Sequence, residues 1–163
     1  MTKILTLAKQ VGDLLKAQQS TLVTAESCTG GGLSYALTSI PGSSHWFDRG
    51  YVTYTEQAKI ALLEISSTLL AAEGAVSEAV ALAMAKNALA LSHASWSIAI
   101  TGIAGPDGGT QTCPVGTVWI AYYNQTDIHF AKKYLFKGER LSIREQAIEI
   151  ALSTLLELLS IDI

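Results

Sequence analysis

The sequence predicts an α/β fold, a sandwich of helices on a mixed sheet that ends in a late antiparallel hairpin. Three observations predict it. Helical and strand periods alternate through the N-terminal part of the chain, the pattern of crossover connections between parallel strands. Two β-rich runs near the C-terminus, "GTVWIAYYN" and "IHFAKKYLF", are joined by a short polar segment, as in a hairpin. Apolar residues make up 49% of the 163 and charged ones only 15%, which suits a compact globular protein rather than a disordered one. That length fits one domain spanning residues 1–163.

Each element has its own warrant. Residues 3–16 place Ile4, Leu7, Val11, Leu14 and Leu15 on one helical face. "STLVTA" is a strand ending near Ala25, and a helix is expected from Gly31 to Ile40 until "PGSS" stops it. "DRGYVTYT" is a strand and "EQAKIALL" starts a helix. Ser77 is an N-cap for "EAVALAMAKNALALS", with Glu78 in the first turn. "SWSIAI" is a buried strand, followed by a loop rich in Gly and Pro from Gly102 to Pro114. The last helix runs from about Ser142 to Leu159 on a stripe of Ile143, Ala147, Ile150, Ala151, Leu155 and Leu158.

Composition excludes several classes of function. The net charge of −3, without a Lys/Arg block, argues against a nucleic-acid partner. Cys28 and Cys113 lie far apart, which suggests a reducing compartment rather than a disulfide framework. Charges interrupt the N-terminal segment, so neither a signal peptide nor a spanning helix is expected. The expectation is a cytoplasmic protein with no membrane partner. His45, His93 and His129 are scattered, so no metal is expected.

Three stretches stand out chemically. "TAESCTGGG" puts an acid, hydroxyls, a thiol and three glycines between a strand and a helix, where backbone N–H groups converge. Ser27 there is either a nucleophile beside an oxyanion hole or part of an N-capped turn; Cys28 is a small buried residue rather than a thiol nucleophile. "YVTYTEQAK" ends a strand at Tyr54 and places Lys59 in the next helix. A lysine there is either solvated or, if desolvated beside a serine, a general base. "TGIAGPDGG" holds more glycine than a plain connection needs, which suggests close approach of backbone to a ligand. Arg140 is either a clamp for an anion or a surface residue.

Together "TAESCTGG", "PGSSHWFDRGYVTYTEQAK", "GAVSEAVALAMA", "TGIAGPDGG", "PVGTV" and "GERLSIR" resemble the CinA C-terminal domain family, in collinear order over nearly the whole chain. The resemblance implies a three-layer α/β/α sandwich on a mixed, mostly parallel sheet, and a domain that cleaves the carboxamide of nicotinamide mononucleotide, giving nicotinate mononucleotide and ammonia, with no cofactor. It implies a serine nucleophile at Ser27, a lysine base at Lys59 and a tyrosine at Tyr54. The substrate-binding candidates are then Thr29, Gly30 and Gly31 of the turn, Thr101, Gly102, Ala104 and Gly105 of the loop, Arg140, and Ser44 in "PGSS". A homo-oligomer is expected on the same basis. Two positions depart from the family pattern: Glu56 where Asn is frequent, and Cys113 where Lys is frequent. A carboxylate near Lys59 would raise the lysine's pKa unless it points to solvent. The remaining readings are an inactive protein that binds pyridine nucleotides and an amidase for another small amide. The nucleotide-hydrolysing domain of longer members has no counterpart in these blocks, so that activity is not expected.

Overall fold

The structure, a computed structural model, describes residues 1–161. Helix α1 (Thr2–Ala17) buries Ile4, Ala8, Val11 and Leu15, with Leu7 and Leu14 at the margin of its stripe. Strand β1 (Leu22–Glu26) is buried at every position. Helix α2 (Gly32–Thr38) follows, then a 3-10 turn (Ser43–His45) and strand β2 (Phe47–Val52). Helix α3 (Glu56–Leu63) is capped by Thr55, whose Oγ1 accepts from the Ala58 amide at 3.1 Å.

Helix α4 (Ser67–Glu73) has no counterpart in the sequence reading. Seven residues are too few to display a period, and its signals are punctuation: Ser66 caps its start and Gly74 ends it. Helix α5 (Glu78–Ala90) begins at the expected cap, with Ser77 Oγ accepting from the Val80 amide at 3.3 Å. Strands β3 (Trp96–Gly102), β4 (Thr117–Asn124) and β5 (His129–Leu135) precede helix α6 (Arg140–Ile161). The hairpin turn between β4 and β5 is set by Asn124, whose Oδ1 accepts from the amides of Thr126, Asp127 and Ile128.

The sheet order is β2-β1-β3-β4-β5. β1 pairs parallel with β2 and with β3, while β4 runs antiparallel to β3 and β5, so β4 alone is reversed. The expected mixed sheet with a late hairpin is what forms.

Alternation along the strands splits the core in two. Leu22, Ile98, Ile100, Val118 and Ile120 pack with α1, α2 and α6 on one face. Val23, Ala25, Ala99 and Ala121 pack with α3, α4 and α5 on the other, where Ala81, Ala85 and Ala88 let α5 lie close to the sheet. The same period sends consecutive residues at the end of β1 to opposite layers, which decides the chemistry there.

Candidate active site

The parallel strands β2, β1 and β3 end side by side, and the segments leaving them build one cleft, where open α/β sheets hold their ligands. Its volume is about 250 Å³. Ser27 and Cys28 come from the turn after β1, Tyr54 from the exit of β2, and Gly102 to Gly105 from the exit of β3. Asp107 and Arg140 complete its rim.

Ser27 turns toward α3. Its Oγ lies 2.9 Å from Lys59 Nζ, and that amine also donates to the Thr53 carbonyl at 3.0 Å. Both side chains are secluded: Ser27 is 7% exposed and Lys59 2%. No carboxylate among the described residues pairs with Lys59. Burial therefore dominates and pulls the amine below the usual lysine range, opposed by the smaller influences of Cys28 and Glu56. Glu56 is exposed in the first turn of α3, which limits its hold on the amine.

Tyr54 is half exposed at the mouth of the cleft, where its hydroxyl accepts from Arg140 Nη2 at 2.6 Å. Arg140 Nη1 donates to the Gly105 carbonyl at 2.7 Å. Arg140 thus ties the loop after β3 to the segment after β2, with its two terminal nitrogens engaged by the protein. Cys28 lies against the serine, but burial pushes its thiol up to about 11, so it stays protonated and unreactive at neutral pH.

The positive end of α2 is not free. The Glu26 carboxylate accepts from the Leu33 and Ser34 amides at 2.8 and 3.0 Å, so those N–H groups hold an internal anion rather than a ligand. Thr29, 0% exposed, donates its hydroxyl to Glu26 Oε1 at 2.7 Å, and Gly30 and Gly31 form the left-handed entry to α2. Neither the Cys28 nor the Thr29 amide donates to a backbone carbonyl among the described loop and turn bonds; that of Cys28 faces its own thiol, and both lie in the turn beside Ser27.

The other candidates separate. Thr101 is buried and donates to the Ala75 carbonyl at 2.8 Å, away from the cleft. Gly102 and Ala104 line the cleft. The glycines here also answer to the protein's own packing: a Cβ at Gly102 would lie 2.8 Å from the Thr117 carbonyl oxygen, and one at Gly105 would overlap Val115. Ser44 sits before β2, beside Thr21, Trp46 and His93, at the end of the sheet opposite Ser27. Its hydroxyl does not reach the cleft.

Residues that the sequence reading left without a role include the Thr53 carbonyl, Asp107, Glu26 and Arg144, whose Nη2 donates to the Thr29 carbonyl at 3.1 Å. The signal for Glu26 was visible: an acid at the buried end of an apolar strand. Among the described residues no cluster of His, Cys, Asp and Glu is placed to share a metal ion, and no helix is long and apolar enough to cross a membrane.

The CinA C-terminal domain matches residues 4–159. The chain belongs to the CinA C-terminal domain family. Within it, the chain is 45% identical over 154 residues to the nicotinamide-nucleotide amidohydrolase PncC of Escherichia coli (strain K12), which covers 94% of this chain and 93% of that protein. It is 44% identical over 158 residues to the protein of the same name from Pseudomonas putida, covering 97% and 98%. The crystal structure of the competence/damage inducible protein CihA from Agrobacterium tumefaciens superposes with a TM-score of 0.93 at 39% identity, covering 96% of this chain and 95% of that one. The family match spans every segment that contributes to the cleft.

Proposed function

We propose that this protein hydrolyses the carboxamide of nicotinamide mononucleotide to nicotinate mononucleotide and ammonia, with Ser27 as nucleophile and Lys59 as base. The observation that carries the proposal is the buried Ser27–Lys59 pair at 2.9 Å, with the amine lacking a counter-charge. Relatives named nicotinamide-nucleotide amidohydrolase, at 44–45% identity over nearly the whole chain, support the substrate class.

An amide is a weak electrophile, so the site must supply an activated oxygen, donors for a developing oxyanion and a proton for the departing nitrogen. Neutral Lys59 has two N–H bonds and a lone pair. One N–H donates to the Thr53 carbonyl, and the nitrogen lies 2.9 Å from Ser27 Oγ, within reach for its lone pair to take the hydroxyl proton once that hydroxyl turns toward it. Ser27 Oγ attacks the carboxamide carbon as its proton passes to Lys59. The amides of Cys28 and Thr29 face the oxyanion that forms. Tyr54, whose oxygen already accepts from Arg140, passes its hydroxyl hydrogen to the leaving nitrogen and takes in its place the proton that Lys59 gained, so the amine is neutral again. The C–N bond breaks, ammonia departs, and an ester to Ser27 remains. Water then gives a proton to Lys59, attacks the ester carbon and releases the carboxylate, restoring the Ser27 hydroxyl.

The phosphate end of the substrate does not sit at the α2 terminus in this reading, because the Glu26 carboxylate fills it. Incubating the purified protein with nicotinamide mononucleotide and measuring ammonia tests the function. Steady release, abolished in Ser27→Ala, is expected. Nucleotide binding without ammonia would replace the amidase reading with that of a binding protein.

A further inference from the structure

The chemistry proposed above employs Ser27, Lys59 and Tyr54 and leaves unused the carboxylate immediately before the nucleophile. Glu26 is 0% exposed, and no Lys or Arg among the described residues forms an ion pair with it. Its charge is balanced by four hydrogen bonds. Oε1 accepts from the Thr29 hydroxyl at 2.7 Å and the Leu33 amide at 2.8 Å; Oε2 accepts from the Ser34 amide at 3.0 Å and the Ser34 hydroxyl at 2.6 Å. Ser34 is backed in turn by Thr24, with 2.8 Å between the two hydroxyl oxygens. The edge strand leaves room for this cluster through Gly50, where a Cβ would overlap Ser34 Oγ.

We infer that Glu26 is the positioning residue for the nucleophile, an inference that rests on the reading of Ser27 as the attacking group. Its carboxylate grips the turn on the far side of Ser27, at Thr29 and at the first turn of α2. Arg144 holds the same turn at the Thr29 carbonyl. The main-chain carbonyl of Glu26 accepts from the Thr53 amide at 2.8 Å, and the Thr53 carbonyl is the second acceptor for Lys59 Nζ. One residue therefore anchors both the turn that carries the hydroxyl and the segment that orients the amine. A displacement of about 1 Å between reacting groups costs on the order of 100-fold in rate, so a frame of this kind bears directly on turnover. The carboxylate acts through geometry: it lies on the α2 side of β1, whereas the amine lies on the α3 side.

Glu26→Gln preserves size and one oxygen acceptor, but turns an NH2 group toward the Ser34 amide and leaves that donor unpaired. The expected result is a fall in kcat of about 10- to 100-fold with KM within roughly threefold, while the acid limb of the pH–rate profile stays in place. Hydrogen exchange should quicken in the peptide covering residues 27–34 and not in α5. Unchanged kcat with only a lowered Tm would reduce Glu26 to a helix cap and overturn the inference, as would a displaced acid limb, which would mean that the charge acts on Lys59. If Glu26→Gln fails to fold, Thr29→Val removes a single bond from the cluster. A severalfold loss of kcat, restored in Thr29→Ser, then supports the inference, and a change confined to KM overturns it. Exchange separates this proposal from the functional one. Faster exchange at residues 27–34 in a protein whose parent releases no ammonia keeps the grip of Glu26 on the turn but removes the amidase, and with it the nucleophile that the turn would position.

Discussion

Glu26 and Ser27 are neighbours in the chain, yet they stand in polar clusters of opposite character. On the α2 side, both Glu26 oxygens are filled, the Ser34 and Thr29 hydroxyls have partners, and the charge is spread over four donors. On the α3 side, the Lys59 amine has no counter-charge, Thr53 Oγ1 is buried without a partner, and the amides of Cys28 and Thr29 donate to no backbone carbonyl among the described loop and turn bonds. Satisfaction of the carboxylate and hydroxyl oxygens there, with Arg144 Nε left unpartnered at the margin, makes a rigid polar frame, because alternative arrangements cost hydrogen bonds in a dry setting. Incomplete satisfaction leaves groups whose needs a substrate can meet, which is why perturbed ionisations gather at reactive sites.

The largest expected effect breaks the reactive side alone. Lys59→Met should lower ammonia release by at least about 1000-fold, consistent with loss of the base that activates the nucleophile. Stability should respond differently. The folded chain holds the amine below its ordinary value, so between the folded and unfolded pKa values the unfolded state binds more protons and stability rises with pH. Denaturant midpoints measured across the alkaline range should rise in the parent relative to Lys59→Met. Parallel curves would show that the amine is not depressed.

Tyr54→Phe comes next. It removes the hydroxyl that Arg140 holds and that faces the leaving nitrogen in the proposed reaction. A loss of about 100-fold in kcat is expected from steady-state kinetics, and a loss seen only in KM would reassign Tyr54 to binding. Gly50→Ala probes the satisfied side without touching the cleft. The added methyl should crowd Ser34 Oγ and destabilise the fold by about 1–3 kcal/mol in urea titration. An unchanged midpoint would mean that the frame is softer than its bonds suggest.

The smallest effect concerns Glu56, whose exposed carboxylate raises the Lys59 pKa slightly against the dominant effect of burial. Removing it in Glu56→Gln should move the acid limb of the rate profile to lower pH by a few tenths of a unit. Movement the other way would contradict the neutral-amine assignment.

Much of the fold is legible along the chain because local physics writes it there. The stripe of α1, the Ser77 cap of α5 and the polar turn of the late hairpin each lie within a few residues of what they determine. Helix α4 escapes because it is shorter than the pattern that reveals helices. The start of α6 at Arg140 rather than near Ser142 changes little in the core, but places that guanidinium at the cleft. Ser44 illustrates the opposite limit. Its motif is contiguous with the segment leading to Tyr54, but β2 runs the full depth of the sheet between them and carries the two to opposite ends.

The residue types at the cleft are also written in the sequence, whereas their meeting is not. Nothing in a separation of 32 positions tells that Ser27 and Lys59 touch, nor that Thr53 supplies the second acceptor. Likewise the glycines after β3 look like space for a ligand, and part of that space belongs to Val115 and Thr117.

Periodicity, capping and residue type act over a few residues, and along the chain alone they mark most of the helices and strands and the side chains with reactive chemistry. Only the tertiary structure decided that Glu26 and Ser27 face opposite layers, that one closes a helix end while the other meets a buried amine, and that Ser44 lies elsewhere. Those outcomes depend on parallel pairing of β1 with both neighbours and on burial from both faces, which are properties of the assembled sheet and of no single segment.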